Sequence, residues 1–161
     1  MPSQPAISAN GLTKKFAQLT AVDRLQLEVF PGEIFGLVGP DGAGKSTSLR
    51  MLATIMEPDS GSATIAGLDT AHDAAAVKDQ LAYMSQEFGL YVDLTVEENL
   101  RFHAALGGGG GVTVDTSIHT VGLDLARFQA VRTLSAGQRK RCALARLLLC
   151  PAELWLLDEP Y

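Results

Sequence analysis

Gly39-Pro40-Asp41-Gly42-Ala43-Gly44-Lys45-Ser46-Thr47 is the stretch that decides the fold. It follows the apolar segment Ile34-Phe35-Gly36-Leu37-Val38 and opens a helix-like pattern beginning at Lys45. Strand, glycine loop and helix in that order make a triphosphate cradle. Successive backbone N–H groups of the loop face the phosphates, and the helix N-terminus adds its positive end. Lys45 can reach the β- and γ-phosphates, and the Ser46 hydroxyl can ligate Mg²⁺. The context on both sides outweighs the alternative of a glycine-rich turn with no function.

At 161 residues the chain can build one α/β core, and 47% hydrophobic residues exclude a disordered chain. A net charge of −5 disfavours a nucleic-acid partner, although basic residues gather at Arg139-Lys140-Arg141. No apolar run approaches the roughly 18 residues of a membrane span. Met1-Pro2-Ser3-Gln4-Pro5 has neither the positive start nor the apolar segment of a signal peptide. The expected location is cytoplasmic, compatible with a membrane partner. Cys142 and Cys150 fall on one predicted helix about 12 Å apart, too far for a disulfide, and are expected as small core residues.

Strands are predicted at Ile7–Thr13, Leu25–Val29, from Ile34 after a Pro31-Gly32 turn, at Ser62–Ile65 and at Leu81–Ser85. Helices are predicted over Lys45–Met56, Asp73–Gln80, from Thr95 to Gly107, and Val114–Val121. Thr95 and Glu98 are spaced as a capping box. Five consecutive glycines, Gly107 to Gly111, cannot continue a helix, since each costs about 1 kcal/mol relative to alanine. They are expected as a flexible surface link.

Two further clusters carry chemistry. Ser135 and Gln138, in Leu134-Ser135-Ala136-Gly137-Gln138, are spaced as a capping box at the start of a helix reaching Cys150. Gly137, lacking a side chain, would let a phosphate oxygen approach the backbone, so this helix start is a second anion site. Arg139, Lys140 and Arg141 oppose the helix dipole there; a solvated face and a source of positive potential are equal readings. Leu154-Trp155-Leu156-Leu157 has the continuous apolarity of a central parallel strand, with Trp155 expected in the core. It runs into Asp158-Glu159, at the strand end where α/β sheets bind ligands. Asp158 can hold Mg²⁺, and Glu159 can polarise an attacking water. Gln86, after the strand at Leu81–Ser85, can bond Mg²⁺ or that water.

With these residues in place, the chain resembles the nucleotide-binding subunit of an ATP-binding cassette (ABC) transporter, from about Ile7 to Tyr161. Gly39–Thr47 resembles the Walker A loop, Leu154–Glu159 the Walker B strand with its catalytic glutamate, and Gln86 the Q-loop glutamine. Leu134–Gln138 resembles the family signature, LSGGQ. Phe16 falls where the family stacks an aromatic ring on adenine. The resemblance implies a P-loop NTPase fold of the ABC-ATPase type, α/β, with a mixed sheet core, N-terminal antiparallel strands and a helical signature subdomain, C-terminally truncated. Residues 6–86 with 151–161 would form the RecA-like core and 87–150 the helical subdomain.

ATP and Mg²⁺ are the implied cofactors. Gly39, Pro40, Asp41, Gly42, Ala43, Gly44, Lys45, Ser46 and Thr47 would hold the nucleotide. Ser46, Gln86 and Asp158 would hold the metal, with Glu159 and Gln86 catalytic. Two cassettes would pair head to tail, so that Ser135, Gly137 and Gln138 act on the partner's ATP. ATP binding and hydrolysis would then drive membrane permease subunits, from the cytoplasmic face of the cell membrane.

The segment from Leu134 to Leu147, and that from Leu154 to Tyr161, look like the haem-exporter ATPase of cytochrome c biogenesis. Phe88 to Leu100 resembles type 2 multidrug or polysaccharide export ATPases. Three departures stand out: Asp41 in place of the frequent asparagine, Ala136 in place of a signature glycine, and a chain that stops before the family's D-loop and switch histidine. A soluble ABC-type ATPase of translation or DNA repair, and an inactive truncated cassette, are the alternatives.

Overall fold

The computed structural model describes residues 4–107 and 111–160. Gly108, Gly109 and Gly110, the middle of the glycine run, lie outside the described residues. Contacts divide the chain into two compact units, Met1–Leu81 and Ala82–Tyr161.

The first unit is organised by four strands in the order β2-β1-β3-β4. β1 (Ile7–Phe16) and β2 (Leu19–Val29) form an antiparallel hairpin from Ile7↔Val29 to Phe16↔Leu19. Its two-residue turn puts Ala17 at φ 51, in the left-handed region. β3 (Ser60–Ile65) pairs antiparallel with the other edge of β1, and the two-residue β4 (Leu68–Asp69) follows it. Inward residues Ile7, Ala9, Leu12, Leu27, Val29 and Ile65 are buried, as an alternating half-solvated sheet requires. Gly61 (φ +87) passes so close to Gly11 that an added Cβ would lie 2.3 Å from its carbonyl oxygen, so no side chain fits there.

α1 (Lys45–Leu52) buries Met51 and Leu52, and α2 (Ala74–Gln80) buries Val77. α1 is shorter than the predicted Lys45–Met56. The chain turns at Thr54 (φ 56), and the Ile55 and Met56 N–H groups both donate to the Arg50 carbonyl.

One expected strand is not formed. Residues 30–44 run without a ladder, and Ile34 and Val38 are fully exposed, with Phe35 half exposed. A strand is stable only with hydrogen-bonded neighbours, and none pairs with this stretch among the described residues.

In the second unit, β5 (Leu81–Met84) pairs with β6 (Leu154–Leu157) as a two-stranded sheet. Among the described residues β6 pairs only with β5, and one of its faces is left open: Leu156 is buried, whereas Trp155 is 41% exposed rather than in the core. Between them lie α3 (Val96–Leu106), α4 (Val114–Thr120) and α5 (Ala136–Leu148). Val96, Leu100, Ile118, Leu123, Val131, Leu134, Cys142, Ala145 and Leu149 pack into one buried cluster. Cys142 is buried and Cys150 partly buried, both as free thiols.

Both predicted capping boxes are present, at Thr95/Glu98 and at Ser135/Gln138. The Glu97 carboxylate binds Arg127 and then Arg101, which draw its pKa down to about 2, and the Arg127 bond ties α3 to the loop before α5. At the far side of the glycine run, Gly111 leaves no room for a Cβ against the Leu149 backbone, and the Val112 N–H donates to the Leu148 carbonyl.

Candidate functional site

The candidate phosphate loop, Gly39–Thr47, belongs to the first unit. Gly42 (φ +78) and Gly44 (φ +84) take left-handed conformations that L side chains rarely adopt. Gly44 is also the N-cap of α1, and a Cβ there would lie 2.1 Å from the Ala21 carbonyl oxygen. Its absent side chain is therefore demanded by packing on β2 as well as by the loop's curvature. The Ala43 N–H donates to the Pro40 carbonyl, and the Ser48 N–H to that of Gly44. α1 begins with no side-chain cap, which leaves its first turn suited to an anion. The Lys45 ammonium folds back over the loop and donates to the carbonyls of Gly39 and Pro40, each at 2.8 Å. Asp41 is exposed, so its carboxylate keeps its hydration. Phe16 ends β1 with its ring 45% exposed and the Lys14 ammonium 6.0 Å from the centroid.

The carboxylates and Gln86 belong to the second unit. Asp158 is buried directly after β6, with its N–H donating to the Met84 carbonyl of β5. The Tyr83 hydroxyl lies 3.5 Å from its Oδ2. Glu159 is exposed and left-handed at φ 53, and its Oε2 accepts from Gln86 Nε2 at 2.9 Å. The β5–β6 pairing thus brings Gln86, Asp158 and Glu159, distant in sequence, to one sheet end. Among the described residues no group of three or more His, Cys, Asp or Glu could cage a metal ion. Mg²⁺ does not need such a cage: it is commonly held by one or two protein oxygens together with substrate phosphates. Ser46 in the first unit and Asp158 in the second each carry an oxygen donor of the kind Mg²⁺ prefers.

At the start of α5, Ser135 Oγ accepts from the Gln138 N–H, and Gln138 Oε1 accepts from the Ser135 N–H. Gly137 is exposed, and nothing lies within 4 Å of an added Cβ. The basic triplet divides. Arg141 Nη1 donates to the carbonyls of Val121 and Gly122, closing the end of α4, which is a structural task. Arg139 and Lys140 are partly buried in the first turns of α5.

Sequence reasoning missed a backbone zipper beside this site. The Val131 and Arg132 N–H groups donate to the Leu94 and Val92 carbonyls, while those of Val96 and Glu97 donate to Gln129 and Arg127. Nor did it single out Asn99, a fully buried amide bonded to Tyr91 N–H and to the carbonyls of Tyr91, Leu94 and Thr95. A buried asparagine in an otherwise apolar helix face was the available signal.

The sequence model of the ABC transporter family matches residues 22–161. The chain belongs to that family. Among ABC relatives it is 39% identical to the probable multidrug ABC transporter ATP-binding protein YbhF of Escherichia coli, over 99% of this chain and 28% of that protein. It is 42% identical to the cytochrome c biogenesis ATP-binding export protein CcmA of Xylella fastidiosa, over 98% of this chain and 73% of that protein. The chain thus spans little more than a quarter of the multidrug relative.

Two solved ABC structures share its fold. One is cbiO1 from Clostridium perfringens, part of the ABC transporter complex cbiONQ, with a TM-score of 0.81 at 20% identity, covering 98% of this chain and 66% of that one. The other is the cassette MJ0796, a dimer in a post-hydrolysis state bound to ADP and Pi, with a TM-score of 0.82 at 24% identity, covering 96% and 74%. The architecture is that of an ABC ATPase: an α/β fold with antiparallel N-terminal strands and a helical region carrying the signature. No helix among the described residues is long and apolar enough to cross a membrane.

Proposed function

We propose that the chain is the ATP-binding part of an ABC exporter, which couples Mg·ATP binding and hydrolysis in a cassette dimer to transport through membrane permease subunits. The observation that carries this is the phosphate loop: glycines held left-handed at Gly42 and Gly44, Lys45 folded over the loop, and a helix start without a side-chain cap. The similarity to CcmA, an export protein, and to YbhF, a probable multidrug transporter protein, supports this reading, and the MJ0796 dimer with ADP and Pi supports a paired cassette. Peripheral attachment to the cytoplasmic face of the membrane follows from that partnership.

Within this reading, Gly39 to Thr47 hold the phosphates, with Phe16 against the adenine. Ser46, Gln86 and Asp158 provide oxygens for Mg²⁺, which when bound draws charge from the phosphate oxygens. Glu159 orients the attacking water, and its bond to Gln86 fixes the direction of its carboxylate. Ser135, Gly137 and Gln138 act on the nucleotide of the partner cassette. Residues 87–150 form the helical subdomain. Residues 151–161 are assigned to the core with 6–86; the pairing of β6 with β5 supports grouping 154–157 with 81–84.

Calorimetry of Mg·ATP binding to the purified chain, with Lys45→Ala beside it, tests the reading. Binding by the parent and its loss in the variant are expected. A folded parent chain that binds no Mg·ATP overturns it.

A further inference from the structure

We propose that Arg146 is the positioning residue for Gln86: from the last turns of α5 it holds the Gly89 carbonyl and so fixes the backbone hook on which Gln86 is mounted. The inference rests on the role given to Gln86 above.

The hook spans residues 85–89. The Phe88 N–H donates to the Ser85 carbonyl, and the Gly89 N–H to that of Glu87 at 2.6 Å. Phe88 (φ 55) and Gly89 (φ 58) are consecutive left-handed residues. That conformation is disfavoured for any residue with a Cβ, so Phe88 stays in it only because its surroundings hold it. Two holds are visible, and both involve α5. The Phe88 side chain packs on the cluster of Ala82, Met84, Ala143 and Leu147. Arg146 Nη1 donates to the Gly89 carbonyl at 3.1 Å.

The environment of Arg146 points past simple packing. It is partly buried, and burial draws its pKa below the usual guanidinium range. A guanidinium withdrawn from water normally faces a carboxylate. Among the described residues Arg146 makes no ion pair; the acceptor it reaches outside its own helix is the hook's carbonyl. His103 of α3 is held below its ordinary pKa by burial and then by the positive charge of Arg146. Beyond the hook, Asn99 fixes Tyr91 from the other side. The free end of the hook is Gln86, bonded to Glu159. Releasing the Gly89 carbonyl lets Phe88 relax out of the left-handed region, which swings the Gln86 amide away from the carboxylates.

The test uses the full chain with Arg146→Met, which keeps bulk but loses donor and charge, and Arg146→Lys, which keeps both. Amide hydrogen exchange without nucleotide is expected to accelerate about tenfold or more at residues 86–90 in Arg146→Met, with residues 140–145 unchanged. In calorimetry, the Mg²⁺ enhancement of ATP affinity is expected to fall about fivefold or more, while affinity in EDTA stays constant and Arg146→Lys regains most of the loss. Unchanged exchange at residues 86–90, uniform acceleration through α5, or loss of ATP affinity with an intact Mg²⁺ enhancement overturns the proposal. If Arg146→Met does not fold, Arg146→Gln is judged by the same criteria. A parent chain that binds no ATP overturns the function proposed above; the exchange comparison then supports or overturns the clamp by itself.

Discussion

Two helices in this chain begin at places suited to anions, and they begin in opposite ways. α1 starts on Gly44 with no side-chain cap, its geometry set by backbone contact with β2 and by Lys45 lying over the loop carbonyls. α5 starts on Ser135 inside a complete capping box, in which Ser135 and Gln138 meet two of its N–H groups. A helix start that satisfies its own N–H groups is ordered with or without a ligand. One that leaves them to the loop gains most when phosphate arrives. Under the proposed function, the contrast corresponds to an own-nucleotide site that tightens on binding and a partner-facing site half formed in advance.

The largest effect expected from breaking this contrast is at Gly44. Gly44→Ala combines left-handed strain with a Cβ 2.1 Å from the Ala21 carbonyl oxygen, so a loss of about 3 kcal/mol or more is expected in urea unfolding, with ATP binding abolished. Ser135→Ala removes one half of the α5 box and is expected to cost about 1 kcal/mol, measured the same way, while leaving the chain's own ATP affinity unchanged. Gly137→Ala should behave in reverse. Nothing obstructs the new Cβ, and a helical alanine is favoured over glycine by about 0.5–1 kcal/mol, so the melting temperature rises. ATP-dependent dimerisation, followed by light scattering, should weaken at the same time. A stabilised variant that dimerises normally would remove Gly137 from the partner's phosphate site.

The smallest effect is a pH slope confined to the second unit. Burial, then the charge of Arg146, holds the His103 pKa below its ordinary 6.5. As pH falls, the unfolded chain takes up the proton first. Stability is therefore complete above about pH 6.5 and declines as pH drops from there through the folded value. Trp155, the sole tryptophan, reports unfolding of this unit by fluorescence, and His103→Gln should flatten the slope.

What was legible in the sequence was mostly local. Both capping boxes, the α2 and α4 boundaries and β6 follow from residues within a few positions of one another. The left-handed turns at Gly42 and Gly44 follow from glycines at fixed spacing, although the contact between Gly44 and Ala21 does not. Non-local pairing was less accessible. Ile34–Val38 has the composition of a buried strand, yet composition supplies no partner strand. Continuous apolarity at Leu154–Leu157 does not reveal that the Trp155 face of β6 is left uncovered. The left-handed residues Ala17, Phe88 and Glu159 carry no glycine signal, and the hydrogen bond from Arg146 to Gly89 spans 57 positions.

The open stretch at Ile34–Val38 has a practical consequence. Of five consecutive uncharged residues, four of them apolar, Ile34 and Val38 are fully exposed and Phe35 half exposed, beside only one flanking charge, Glu33. Such a segment is a template for edge-to-edge stacking between molecules, of the kind that seeds fibrils. Storage life of the purified chain should therefore shorten steeply with concentration, and one lysine placed at Val38 should extend it more than any change to the surface charge elsewhere.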